Sequence, residues 1–147
     1  MKSDGPALPA VGDVIRYAYL WSHEHDAGRE EGSKDRPAAV VALVKGADGR
    51  DEVVVFPITS SAPSDPRQAV EIPPSSRARL GLQREACWVV VSETNLFAWP
   101  GPDLRRTETD EKSFLYGALP AAFLRQVKVA FAAWRNRNPV ATIRRTE

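Results

Sequence analysis

The sequence predicts a mainly β, α+β fold: a small β-barrel with one amphipathic helix laid on it near the C-terminus. Three observations carry that expectation. Short runs of β-branched and aromatic residues recur along the first two thirds of the chain. An Asp48-Gly49 turn signal separates two apolar runs. Near the end, Phe123, Val127, Ala130, Phe131 and Trp134 fall at helical spacing on one face. About five short strands, one long loop and one helix make a two-layer domain. At 147 residues, 43% of them hydrophobic, the chain fits a single domain with its own core.

The first strand is expected over Val14 to Trp21 (VIRYAYLW), where Arg16 is the only charge. A polar loop follows from Ser22 to Arg36. Ala38 to Val44 and Glu52 to Pro57 then form a hairpin about the turn from Lys45 to Arg50. Both of its strands are apolar on successive residues, so they are expected to be covered on two sides, as in a closed barrel or at a dimer interface. Ser60 to Gln68 reads as a loop, Ala69 to Ile72 as a short strand, Pro74 to Leu80 as a helical turn, and Ala86 to Val91 as a strong strand. Asn95 to Trp99 either extends that strand or pairs back. The helix starts near Leu119, with Pro120 suited to its first turn, and ends before Pro139. The domain spans residues 10–135, and 1–9 and 136–147 are read as flexible termini, because ATIRRTE carries no packing periodicity.

Composition excludes several classes of function. Twenty basic and nineteen acidic side chains give a net charge of +1, so any nucleic-acid binding must be local. Cys87 is the one cysteine, which excludes an intrachain disulfide and a multi-cysteine zinc site and fits a reducing compartment. Neither a signal-peptide core nor an apolar run near the ~20 residues of a spanning helix is present. A soluble, cytoplasmic protein with no membrane association and no cofactor is expected.

Three segments narrow the reading. Gly12-Asp13-Val14-Ile15 opens a strand, Glu31-Gly32-Ser33-Lys34-Asp35-Arg36-Pro37 precedes Ala-Ala-Val-Val, and Val55-Phe56-Pro57-Ile58-Thr59-Ser60 closes the next strand. In that order and separation they resemble the PemK/MazF (Kid) family of type II toxin–antitoxin toxins, over roughly Gly12 to Val91. The resemblance implies an SH3-like barrel of the CcdB/MazF/Kid type and a homodimer. It also implies metal-independent cleavage of single-stranded RNA, chiefly mRNA, that inhibits growth, and a cognate antitoxin as partner.

Metal-free RNA cleavage needs a base for the ribose 2′-hydroxyl, a cation for the charge gathering on the phosphate and an acid for the leaving 5′-oxygen. Arg36, matching the family's Arg-Pro pair, suits the cation, since guanidinium offers phosphate a rigid bidentate fork. Thr59 stands at the matching place in Pro-Ile-Thr, where its hydroxyl reaches a phosphate or 2′-oxygen, with Ser60 beside it. The alternative for both hydroxyls is a local bond to backbone. Glu31 lies five residues before Arg36, the spacing of a loop glutamate in several family members, and shares its loop with Glu30, Asp26 and Asp35. His25 and His23 flank Glu24 and titrate near neutrality, which suits proton transfer. Arg36, Thr59, Glu31 and His25 are therefore the candidate catalytic residues, and Ser60, His23 and Lys34 candidate RNA contacts.

Two departures from the family pattern bear on activity. The loop from Trp21 to Arg36 is longer than in compact relatives. Where many relatives carry an Asp-Gln pair, and some a catalytic arginine, this chain has Ser92-Glu93-Thr94-Asn95. These keep a second reading open, a non-catalytic barrel toxin such as a CcdB-like gyrase inhibitor or an inactive PemK-like domain. From Arg125 onward six basic residues face one acidic residue, Glu147, which suits RNA, an acidic antitoxin or simply a solvated helix face.

Overall fold

The computed structural model describes residues 8–21, 35–82, 85–101, 104–105 and 114–145. In chain order they form β1 (Asp13–Tyr17), β2 (Arg36–Lys45), β3 (Asp51–Thr59), a short 3-10 helix (Pro66–Gln68), β4 (Ala69–Glu71) and α1 (Pro74–Arg79). Then follow β5 (Trp88–Val90), β6 (Glu93–Ala98), β7 (Leu104–Arg105), β8 (Leu115–Ala118), α2 (Ala121–Arg135) and β9 (Ala141–Arg144). No helix among the described residues is long and apolar enough to cross a membrane.

The strands pair in the order β4-β5-β3-β2-β1-β7, with β6 also on β3, β9 on β6 and β8 on β1. The result is the small, mostly antiparallel barrel-like sheet with a C-terminal helix that the sequence predicts. Among the described residues its strand pairing does not close into a ring.

The β2–β3 hairpin is its spine. Gly49 takes a positive φ of 81° in the turn, Gly46 and Arg50 close it by backbone bonding, and the Asp48 carboxylate accepts from the Arg50 N–H at 3.0 Å. At the opposite end the hairpin is covered on both faces. Ala38, Val40, Val53 and Val55 join Ile15, Tyr17 and Phe97 in one core, while Ala39, Phe56 and Ile58 join Val14, Val89, Phe123 and Val127 in the other. Alternating side chains sent into two cores explain why the runs look continuously apolar. Near the turn the cover ends, and Leu43 and Val44 are exposed.

Midway along, β3 changes partner. Glu52 to Val55 pair with β6, whereas Ile58 and Thr59 pair with β5, and the buried Pro57 lies between. Pro57 has no N–H to give a ladder, which suits the point where one neighbour replaces another. The 95–99 segment neither extends β5 nor pairs back on it: β6 pairs with β3 instead. Cys87 is buried in the core beneath α2, as a small apolar side chain.

Helix α2 buries Phe123 and Val127 and packs Ala130, Phe131 and Trp134 against the same core, which is the face the periodicity marks. Pro120 is its N-cap residue, one step ahead of the first turn. Gly12 ties this entry to the sheet: at φ 100° its N–H donates to Val40 and its carbonyl accepts from Leu119, both at 2.8 Å.

Three stretches of the chain depart from expectation. The first strand ends at Tyr17; Ala18 to Leu20 are buried but outside regular pairing. Strands β7 and β8, in a stretch to which the sequence reading assigned nothing, add to β1. The reading of 136–147 as a flexible terminus is corrected over 141–144. These residues form β9, parallel to β6, with the Thr94 hydroxyl bonded to that of Thr142 at 3.0 Å and Arg144 paired with Glu52 at 2.6 Å. Ile143 is the one large apolar residue of β9, too little to make a visible period.

Candidate active site

Arg36 opens β2 and stands opposite Tyr17 of β1, with Pro37 opposite Arg16. Thr59 closes β3 and stands opposite Trp88 of β5. The last β2–β3 pair is Ala38 with Pro57. No β2–β3 pair follows it, while β2 stays paired with β1 and β3 with β5 along their outer edges, so Arg36 and Thr59, two residues further on, flank the point where the hairpin splays. By alternation Arg36 lies on the face of Ala38 and Val40, and Thr59 on that of Val53 and Val55, which is one face of the sheet. The sequence-predicted pair thus stands at one end and on one face of the hairpin.

Both side chains are half-buried. The Arg36 guanidinium carbon lies 5.1 Å from the centre of the Trp21 ring, a cation–π arrangement that steers the side chain. The Thr59 hydroxyl accepts from the Ser61 N–H at 3.1 Å, the local turn contact that threonine at a strand end commonly makes. Its proton is still able to donate, since a hydroxyl can accept and donate at once. Ser60 is exposed beside it. Glu31, His25, His23 and Lys34 lie outside the described residues.

Asp35 has a definite place. Arg16 and Arg105 face each other across the β1–β7 ladder, a like-charge pair that costs stability by itself, and the Asp35 carboxylate bridges them at 3.7 and 3.3 Å. This occupies Asp35 with a structural role next to Arg36.

Behind Arg36 lies a layer of aromatic rings. Tyr17 stacks on Phe97 at 4.6 Å, Tyr17 and Tyr19 meet edge to face at 6.4 Å, and Tyr19 meets Trp21 the same way at 5.3 Å. Trp21 and Trp99 pack against this core and Trp134 against the other. The Tyr19 hydroxyl donates to the Glu93 carboxylate at 3.4 Å. Burial, then the nearby Glu93 charge, holds the Tyr19 phenol well above the ordinary tyrosine range, so it serves as a donor and not as a base.

Asn95 of β6 is fully buried. Its Oδ1 accepts from the Leu20 N–H at 2.9 Å and its Nδ2 donates to the Leu20 carbonyl at 2.8 Å. Arg145 completes the cluster: one terminal nitrogen donates to the Ala18 carbonyl at 2.6 Å, to Asn95 Oδ1 at 3.2 Å and to the Tyr17 hydroxyl at 3.3 Å. Sequence reasoning missed Tyr19, Asn95 and Arg145 as a group. Their signal, polar residues inside or beside apolar runs, shows only once the fold brings β6 and β9 to the end of β1.

No family model and no curated protein matches this chain. Solved structures do. A chain of the MazE–MazF complex of Deinococcus radiodurans in one crystal form (Form-II) matches with a TM-score of 0.55 and 19% identity, over 90% of this chain and all of that one. A chain of the same complex in another form (Form-III) gives 0.53 and 19%, over 86% and 95%. The likeness therefore spans nearly the whole length of both partners, and it shows that this chain has the fold found in the MazE–MazF structures.

Proposed function

We propose that this chain is the toxin of a type II toxin–antitoxin pair, an endoribonuclease that cleaves single-stranded RNA without a metal ion. The observation that carries the reading is Arg36 and Thr59 flanking the splayed end of the hairpin, on one face, in the fold of the MazE–MazF structures.

The chemistry follows from those positions. The ribose 2′-oxygen, losing its proton to a base, attacks the adjacent phosphorus. The bond from phosphorus to the 5′-oxygen breaks, and that oxygen takes a proton from an acid, leaving a 2′,3′-cyclic phosphate and a 5′-hydroxyl. Arg36 neutralises the charge that grows on the non-bridging oxygens, worth about 3–4 kcal/mol for a well-placed donor. Trp21 beneath it holds the guanidinium in place before substrate arrives. The Thr59 hydroxyl donates to the same phosphate, and Glu31 or His25 handles the proton. Ser60, His23 and Lys34 extend the contact along the RNA. A homodimer, a cognate antitoxin and a cytoplasmic setting belong to the same reading.

A non-catalytic barrel toxin or binding protein is the second reading. It is favoured by Asn95, whose amide is engaged with Leu20 and Arg145 instead of being presented to a substrate. The deciding experiment is incubation of purified protein with single-stranded RNA in EDTA. Cleavage that disappears in Arg36→Ala supports the ribonuclease; an intact, folded protein with no cleavage supports the binding reading.

A further inference from the structure

We propose that Arg145 is a positioning residue for the site, setting Arg36 through Tyr17 and Trp21; the inference rests on reading Arg36 as the phosphate clamp. Arg145 follows β9, and its backbone N–H donates to the Leu96 carbonyl at 2.8 Å, continuing the edge of the sheet. Its side chain then turns inward and is only 5% exposed. Burying a guanidinium costs several kcal/mol, roughly, unless polar groups receive it. Here one nitrogen meets Ala18, Asn95 and Tyr17, and the guanidinium carbon lies 5.4 Å from the centre of the Tyr17 ring. An apolar residue would fill the same edge with no such cost, so the arginine earns its place through what it holds.

What it holds is the end of β1 and the segment after it. Tyr17, gripped at ring and hydroxyl, is the ladder partner of Arg36. Ala18, gripped at its carbonyl, leads to Leu20, which Asn95 clamps through both backbone groups, and Asn95 is itself fixed by Arg145. The next residue is Trp21, whose ring lies under the Arg36 guanidinium. Release of Arg145 therefore loosens the strand beside Arg36 and the ring beneath it together. The C-terminal strand becomes part of the site without contributing a reacting group.

The test compares the full chain with Arg145→Gln and Arg145→Lys. In Arg145→Gln the Leu20 amide should exchange its hydrogen about tenfold faster, as expected when a buried hydrogen-bond network loses one member, while Val53 and Val55 in the middle of β3 keep their protection. The Arg36 Nε–H resonance, assigned by its absence in Arg36→Lys and lying in the field of the Trp21 ring, should shift. Cleavage of single-stranded RNA in EDTA should lose about ten- to a hundred-fold in kcat with a smaller change in KM. Arg145→Lys, which keeps the charge and one donor, should recover part of each. Unchanged Leu20 exchange and Arg36 resonance overturn the proposal, as does a shifted resonance with wild-type kcat. Should the wild-type chain cut no RNA, the ribonuclease reading fails, and exchange and resonance alone still decide whether Arg145 sets Arg36. Should Arg145→Gln not fold, Arg145→Lys carries the same measurements.

Discussion

Asn95 holds Leu20 by both backbone groups, accepting its N–H at 2.9 Å and donating to its carbonyl at 2.8 Å, from a fully buried position on β6. Leu20 lies beyond the end of β1, so no ladder serves it. A side-chain amide supplies what a neighbouring strand otherwise would. Asn95→Ala should therefore cost about 2–4 kcal/mol, since it leaves a buried donor and a buried acceptor without partners. Urea unfolding followed by circular dichroism measures this, and a loss below about 1 kcal/mol would mean that water or a backbone shift replaces the amide.

Arg36 separates charge from shape. Arg36→Lys keeps the cation but loses the bidentate fork and the guanidinium's contact with the Trp21 ring. Cleavage of RNA should fall about tenfold for lysine and about a hundred- to a thousand-fold for alanine. Stability should change by about 1 kcal/mol or less in either variant, the scale of one cation–π contact. Thermal melts alongside single-turnover cleavage distinguish a lost clamp from a lost fold.

How much of this was legible beforehand depends on how local the determinants are. The hairpin could be read because Asp48-Gly49 and the two apolar runs are contiguous in the chain, and α2 because its apolar face repeats within one segment. Arg36 and Thr59 could be placed near each other because an antiparallel hairpin brings its two outer ends together. By contrast, β9 is four residues with one buried apolar side chain, and its side-chain ties, Thr142 to Thr94 on β6 and Arg144 to Glu52 on β3, join residues about fifty to ninety positions apart in sequence. Asn95 and Arg145 look like ordinary polar residues until the sheet sets them against the end of β1. Tertiary partners of that kind leave no periodic trace.

The Thr59 hydroxyl has two possible duties, and valine and serine tell them apart. Thr59→Val keeps the β-branched shape but removes the acceptor of the Ser61 N–H, so about 1 kcal/mol of stability should go. Should the hydroxyl also donate to the phosphate, cleavage should fall in Thr59→Val by about tenfold and be retained in Thr59→Ser. A stability loss with unaltered cleavage would confine Thr59 to shaping the turn.

Tyr19 gives the site's core a pH signature at the alkaline end. Its folded pKa is raised, first by burial and then by Glu93, whereas in the unfolded chain it ionises near the ordinary value of 10.0. The sign follows directly: below about 10 both states keep the proton and the stabilisation is complete. As pH climbs above that value the unfolded chain releases the proton while the folded chain retains it, and stability declines until the folded phenol also ionises. Tyr19→Phe has no such proton. At about pH 8 it should be less stable than wild type by about 1 kcal/mol, the hydrogen bond to Glu93, and that gap should narrow as pH rises past about 10. Urea midpoints of both proteins across that range measure it, and a gap that stays constant would mean the phenol titrates alike in the folded and unfolded chains.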